Sequence, residues 1–262
     1  MKRAENYAVV IPAYNEAATI REVALSASRV VPLVVVIDDG SNDGMRTALA
    51  GAPIVLLANE KNLGKAASLR RGIEYALEHG VQAVITLDGD GQHDPADIVK
   101  LIAAHRAQPD AIVIASRLID RHNAPRPRYY ANRFANFWIA WAAGYPISDS
   151  QSGFRLYPAA VLRATMPCCD TRASFVFESE VLIEAGRRGH CSIAVLVPSI
   201  YRTNARASHF RPVADIVLIV RMVAWKLVSR GLCLPGLIRS LRRPGGMWAH
   251  DEQERRTVRG EK

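Results

Sequence analysis

Asp88 and Asp90 stand one glycine apart at the end of a short apolar run, Val84-Ile-Thr-Leu-Asp-Gly-Asp-Gly-Gln-His-Asp94. The run reads as a buried strand that stops where the acids begin. In an open α/β sheet, that carboxyl end is where ligands sit. If extended geometry persists, residues at i and i+2 point to one side, and both carboxylates face one cavity. Two anions held close repel unless a cation lies between them. Gly89 and Gly91 let a ligand approach the backbone. The chemistry suits Mg²⁺ or Mn²⁺ held by one or two carboxylates together with substrate phosphates.

Other readings compete. An EF-hand loop opening at Asp88 needs Gly at its sixth position and Glu at its twelfth, where the chain has His93 and Val99; that reading fails. A phosphotransferase of the haloacid-dehalogenase type also uses strand-Asp-x-Asp-Gly, with the first Asp as nucleophile, and stays as the alternative. The plain reading is a strand-to-helix turn in which Asp94 caps a helix begun by Pro95.

The elements that must position these acids alternate regularly. Residues 7–12 are an apolar run closed by proline, a buried strand. Asn15 and Glu16 open a helix over 15–29. Residues 33–38 form a second strand ending in Asp39-Gly-Ser-Asn-Asp-Gly44, followed by a helix to about Ala50. Residues 54–58 are a third strand. Asn62-Leu-Gly-Lys65 leads into a helix whose apolar residues Ala66, Leu69, Ile73, Ala76 and Leu77 keep a 3.6 period, stopped by Gly80. After the Asp88 strand come a helix over 95–107 and a fifth strand over 111–116. The alternation predicts a mostly parallel sheet with helices on both faces. Neither the Gly-x-Gly-x-x-Gly turn nor a P-loop is present.

Beyond Arg117 the pattern changes. Residues 121–128 are basic and read as a loop. Residues 129–144 are helical, with Trp138 and Trp141 either packed on the sheet or lining an acceptor groove. Asp149-Ser-Gln-Ser-Gly-Phe-Arg155 is a polar loop entering a short strand. A helix over 175–188 carries Glu178, Glu180 and Glu184, and a late strand covers 194–198. The domain boundaries read as 1–211 for a catalytic domain, 212–241 for a basic amphipathic helical segment and 242–262 for a disordered tail.

Net charge is +9, and from Ser199 onward 13 Lys and Arg face 5 Asp and Glu, so that stretch carries +8 of it. The nearly neutral body argues against a nucleic-acid-coating protein, while the basic tail favours an anionic partner. Cys168, Cys169, Cys191 and Cys233 lack zinc-site spacing and read as reduced thiols. The N-terminus leads into a strand without a signal-peptide pattern. The expected setting is therefore cytoplasmic.

Several motifs occur in one order: Ile-Pro-Ala-Tyr-Asn-Glu (11–16), Ile-Asp-Asp-Gly-Ser-Asn-Asp-Gly (37–44), Asn-Leu-Gly-Lys (62–65), Asp-Gly-Asp-Gly-Gln-His (88–93), Ala-Ser-Arg (115–117) and Asp-Ser-Gln-Ser-Gly-Phe-Arg (149–155). Together they resemble family 2 glycosyltransferases of the GT-A fold, over about residues 7–211. The nearest branch is similar to dolichyl-phosphate mannosyltransferase and the bacterial polyprenyl-phosphate glycosyltransferases. The resemblance implies a nucleotide-sugar donor, a divalent cation and inversion at the anomeric carbon. By position it implies Pro12, Tyr14, Glu16, Ile37 and Asp39 around the nucleoside, with Lys65 and Gly89 in the donor site. It implies Asp88, Asp90 and Gln92 on metal and phosphates, and Arg117 on the phosphates. Asp90, Asp149, Arg117 and Arg202 form the expected catalytic set, with Glu178 a second candidate base beside Asp149. The acceptor implied is lipid-linked or a glycan precursor. One departure stands out. Where the family often carries Arg-x-x-Gly-x-Ser-Lys, the chain has Tyr201-Arg-Thr-Asn-Ala-Arg-Ala-Ser-His209, one residue longer, without the glycine and with His209 for lysine. An inactive sugar-nucleotide-binding module is the remaining alternative.

Between Arg202 and Arg243 there are nine Lys and Arg and one acid, Asp215. Ile216, Val217, Ile219, Val220, Val223, Ala224, Leu227 and Val228 make a broad apolar surface there, from which Arg221, Lys226 and Arg230 can snorkel. The expectation is a helix lying in anionic headgroups at the inner face of the cytoplasmic membrane. Packing on the catalytic domain, or pairing in a homodimer, is the alternative.

Overall fold

The computed structural model describes residues 4, 6–116, 126–166, 176–198, 212–229, 231–241 and 247–248, with backbone alone for 126–132, 176, 212–218 and 247–248. Among these residues eight strands form one sheet: β1 (Tyr7–Ala13), β2 (Leu33–Asp38), β3 (Val55–Ala58), β4 (Ala83–Thr86), β5 (Ile112–Ser116), β6 (Arg155–Pro158), β7 (Ser192–Leu196) and β8 (Met247–Trp248). Their order is β3-β2-β1-β4-β6-β5-β7-β8. All pairings are parallel except those of β6, which runs antiparallel to both β4 and β5.

The inner parallel strands are largely apolar because both faces are covered, whereas the edge strand β3 leaves Leu56 exposed. Side chains alternate in direction, so each strand feeds two cores. Val9 and Ile11 of β1, Val34 and Val36 of β2, and Ile85 of β4 pack with α1 (Ile20–Val30), α2 (Met45–Ala48) and α4 (Ile98–Ala107). Ala8, Val10, Val35, Ile37 and Val84 face the other way, toward α3 (Lys65–Glu78). The second core continues over α5 (Arg126–Ala143), α6 (Ala159–Thr165), α7 (Val176–Arg187) and α8 (Pro212–Val228). The short α9 (Leu234–Ser240) rests on α5, where the Trp141 indole donates to the Leu232 carbonyl at 2.9 Å. Gly72 permits the close approach of α3, since a Cβ there would lie 2.5 Å from Val10 and from Ile37.

Several expectations need correction. The helix expected over 15–29 begins at Ile20. Asn15 sits at φ +55°, and the N–H groups of Asn15 and Ala17 donate to the Ser41 hydroxyl and the Asp43 carboxylate, leaving no helical path. β4 ends at Thr86, and Gly89 and Asp90 lie in a turn, so the extended geometry assumed for the Asp pair does not persist. Asp94 does cap the turn begun by Pro95, accepting from the Ala96 N–H at 2.9 Å, but that turn is 3₁₀, with α4 following. Residues 126–128 are helical rather than loop. In the tail expected to be disordered, Met247 and Trp248 pair with β7; the rest of 242–262 lies outside the described residues.

The chain runs β1, β2, β3 toward one edge and then returns to place β4 on the other side of β1. The sheet therefore has a switch point between β1 and β4, where an open α/β fold leaves a crevice at the strands' carboxyl ends. Glu16 follows β1 and Asp88 follows β4, so the topology brings the two motifs to that crevice.

Candidate active site

The loops after β1 and β2 are laced together. The Asn42 N–H donates to the Asn15 side-chain oxygen at 2.8 Å, and the Asn15 and Ala17 bonds described above run the other way. Asp38 is fully buried, accepts from the Ser41 N–H at 2.8 Å and pairs with Arg46. Asp39, also buried, organises the next loop: Oδ1 accepts from Asn59 Nδ2 at 2.8 Å and the Leu63 N–H at 2.9 Å, and Oδ2 from the Gly64 N–H at 2.9 Å. Gly40 supports this closure, having φ +75° and a Cβ position 2.6 Å from the Lys61 backbone.

Across the switch point, Glu16 lies against Gly89 so closely that a Cβ at 89 would be 2.1 Å from Glu16 Oε2. The Thr19 hydroxyl donates to the Gly89 carbonyl at 2.7 Å. Asp90 accepts from the Gln92 N–H at 2.9 Å, which sets the turn. Lys65, first residue of α3, reaches over to Asp88 Oδ1 at 2.7 Å and to Glu178 Oε1 at 3.1 Å. Burial would lower the pKa of the Lys65 ammonium, but the Asp88 and Glu178 carboxylates outweigh it and raise it. Gly153 closes against this pair, with a Cβ position 2.6 Å from Asp88 Oδ2.

Asp149 is at the same edge, because β6 starts where β4 and β5 end. It is buried; Oδ1 accepts from the Gln151 and Ser152 N–H groups at 2.9 and 3.2 Å, and the Ser116 hydroxyl donates to Oδ2 at 3.5 Å. Asn136 of α5 pins Ser150 through its side-chain oxygen. The completely buried Arg155 ties the loop to α7, donating to the carbonyls of Ser152, Ser150 and Glu178 at 2.6, 2.8 and 2.9 Å.

The fold thus gathers Tyr14, Glu16, Asp39, Lys65, Asp88, Gly89, Asp90, Gln92 and Asp149 at the carboxyl edge. Arg117 and Arg202 lie outside the described residues. Pro12 and Ile37 are paired across β1 and β2 and are buried, Ile37 at 0% exposure under Gly72. Their side chains lie inside the sheet, so a nucleoside contact at these two positions falls to the backbone. Sequence reasoning missed Asn59, Asn136 and the hub role of Arg155. Asn59 stands three residues before a recognised motif, and Arg155 closes one; neither position announces its partners.

Among the described residues no three His, Cys, Asp or Glu side chains make a metal cage. A hard cation that takes one or two carboxylates plus phosphate oxygens needs no cage. The residues fit such an ion: Asp88 already holds a cationic ammonium, and Gly89 and Gly153 leave out the Cβ atoms that would crowd it.

Residues 8–165 match the model of the family described as glycosyl transferase family 2. The chain belongs to glycosyl transferase family 2. Family membership sets aside the Asp-nucleophile phosphatase and makes the chain a glycosyltransferase. Over 176 residues it is 27% identical to a UDP-N-acetylglucosamine–dolichyl-phosphate N-acetylglucosaminyltransferase from Methanococcus voltae, covering 59% of this chain and 70% of that one. Over 165 residues it is 30% identical to polyprenol monophosphomannose synthase from Mycolicibacterium smegmatis, covering 59% and 62%. Among solved structures, glucosyl-3-phosphoglycerate synthase from Mycobacterium tuberculosis, in complex with Mn²⁺, UDP and its product, matches with a TM-score of 0.57 at 20% identity over 86% of this chain and 79% of that one. That likeness bears on the fold, which is GT-A.

The Asp38 pair yields a pH prediction. Burial would raise the Asp38 pKa, but the hydrogen bonds from Arg46 and Ser41 outweigh it and hold the carboxyl below its ordinary 3.8. A depressed folded pKa contributes stability above the ordinary value and loses it as pH falls through the folded one. Arg46→Met should lower stability by about 1 kcal/mol near neutral pH, a modest figure because Arg46 is 55% exposed and screened by water. In urea unfolding the gap to wild type should narrow on acidification below about pH 4. A gap that stays constant on acidification would place the effect of Arg46 elsewhere.

Proposed function

We propose that the chain is a metal-assisted, inverting transferase that passes a sugar from a nucleoside-diphosphate donor to the phosphate of a lipid-linked acceptor, working at the inner face of the cytoplasmic membrane. The observation that carries this reading is the β1–β4 crevice, where the Asp88-Gly-Asp90 turn meets Glu16 and Lys65. The relatives' names support the acceptor class, one acting on dolichyl phosphate and one being a polyprenol monophosphomannose synthase. The structural neighbour was solved with Mn²⁺ and UDP, and in another crystal with Mg²⁺ and UDP.

Asp88 and Asp90, with Gln92, would hold the divalent cation. When bound, that cation neutralises charge on the departing diphosphate. Tyr14 and Glu16 border the donor. Asp39 accepts three N–H bonds of roughly four that a carboxylate can take, which leaves one site for a base N–H. Lys65 and Arg117 take phosphate oxygens. The bond from the anomeric carbon to the diphosphate oxygen breaks, and its electron pair leaves with the diphosphate. The acceptor oxygen bonds to the opposite face of that carbon, which inverts it. A phosphate acceptor is already anionic and needs no base; Arg202 would be the residue that meets it. Asp149 then serves by holding the 149–154 loop, and would act as base only for a hydroxyl acceptor.

The C-terminal segment divides its faces. Val223 and Leu227 of α8 are buried against the domain, and Lys226 pairs with Glu180 at 2.8 Å and Glu184 at 2.6 Å. Lys226 therefore does not snorkel, which corrects that expectation; Arg221 is exposed, and Arg230 lies outside the described residues. Of the eleven exposed large apolar side chains among the described residues, seven lie between Val220 and Leu241, including Trp225 at 70% and Leu241 at 69%. Such exposure beside basic residues suits insertion into anionic headgroups. No helix among the described residues is long and apolar enough to cross a membrane.

Two outcomes are expected. Asp90→Asn, which keeps shape and removes charge, should lower sugar transfer to polyprenyl phosphate by about 100-fold or more. Near wild-type transfer by that variant in EDTA would contradict the mechanism. Trp225→Ser combined with Ile238→Ser should leave the fold intact, because both side chains are mostly exposed, and should weaken sedimentation with phosphatidylglycerol vesicles at low salt. A wild-type protein that ignores such vesicles would remove the membrane from the account.

A further inference from the structure

Lys65 touches two carboxylates at once, Asp88 at 2.7 Å and Glu178 at 3.1 Å. The three residues come from different elements: the first turn of α3, the turn after β4 and the start of α7. α3 is fixed at its N-terminus, because the Gly64 N–H is held by Asp39. Glu178 is fixed as well, its carbonyl accepting from Arg155. Gly153 closes over the pair; a Cβ there would lie 3.0 Å from Lys65 Nζ as well as against Asp88. The Asp88 side chain keeps 27% exposure while that of Glu178 keeps 7%. The ammonium therefore has an outer partner open to the crevice and an inner partner sealed behind it.

We propose that Lys65 is a resident counter-ion for Asp88, so that the divalent metal enters together with a diphosphate and not ahead of it. This rests on the donor-site reading above and adds an order of assembly to it. A metal arriving alone must displace an ammonium already seated on Asp88 Oδ1. Once displaced, that ammonium repels the metal and gains nothing in return. A diphosphate supplies anionic oxygens to which Lys65 donates in place of Asp88, while Glu178 keeps hold of the same ammonium from behind. Asp88 is then released to the metal. Metal and diphosphate are coupled through one side chain, and the coupling is reciprocal. The competing arrangement is a permanent Lys65–Asp88 bridge, with the metal on Asp90 alone.

The test reads metal affinity rather than turnover. Free Mn²⁺ is followed by electron paramagnetic resonance during titration into the full-length protein, without nucleotide. Lys65→Met should bind Mn²⁺ alone about tenfold more tightly than wild type, and adding UDP or GDP should improve its Mn²⁺ affinity less than it improves that of wild type. Removing Lys65 leaves two carboxylates uncompensated, so Lys65→Met is paired with Lys65→Met/Glu178→Gln, which carries one buried charge fewer and should show the same gain. Folded variants that bind Mn²⁺ alone no better than wild type overturn the proposal, and failure of both variants to fold overturns it too, by making the bridge structural. Either result leaves the donor site standing if wild type still takes up Mn²⁺ with a nucleoside diphosphate. A wild type that takes up no Mn²⁺ with either nucleotide removes the donor site and this proposal together.

Discussion

A carboxylate that leaves water must be given N–H donors or a counter-charge, and this fold gathers its carboxylates at one edge. Each is answered locally, and the answer builds a loop. Asp38 is met by Ser41 and Arg46, Asp39 by Asn59, Leu63 and Gly64, Asp90 by Gln92 and Asp149 by Gln151 and Ser152. Asp88 is met by the end of a long side chain, Lys65, reaching across from α3. The loops are thus shaped by the same charges that make the edge attractive to a cation. An apolar replacement at any of these positions would change loop geometry as well as charge, and substitutions there are to be read with a stability measurement beside them.

The parallel half of the sheet was legible because β1, β2 and β4 are buried on both faces and appear as apolar runs, with β3 a short apolar run at the edge. β2 falls at residues 33–38 as expected, and α3 follows its 3.6 period. What the pattern could not carry is pairing direction. β6 enters between β4 and β5 from the opposite sense, and α6 follows it directly, although nothing in Arg155–Pro158 distinguishes an antiparallel strand from a parallel one. The start of α1 was misplaced because Asn15 and Glu16 look like helix openers, whereas the donors of Asn15 and Ala17 are spent on a loop 26 residues away. The acids of the site were legible by type and spacing. Glu178 acquired its place beside Lys65 only through the packing of α7 on α3.

The C-terminal segment shows how one helix can answer to two surroundings. The sequence read α8 as a single broad apolar surface. In the structure Val223 and Leu227 belong to the domain core, and Lys226 is bound by two glutamates of α7. Cutting the chain before α8 would expose that core, so the segment is better probed by its outward side chains than by removal. The division also links the surface to the site: α7 carries Glu178 near its start and Glu180 and Glu184 beyond it, so the helix that holds Lys65 also holds α8.

The account stands on the claim that the β1–β4 crevice takes a nucleoside diphosphate together with a divalent cation on Asp88. Calorimetric titration of the full-length protein with UDP, GDP and dTDP, each with and without Mn²⁺, tests it most directly when Asp88→Asn is titrated alongside. The account predicts saturable binding of at least one nucleotide that requires Mn²⁺ and is lost in a folded Asp88→Asn protein. Binding that is equal with and without Mn²⁺, or unchanged in Asp88→Asn, would contradict it.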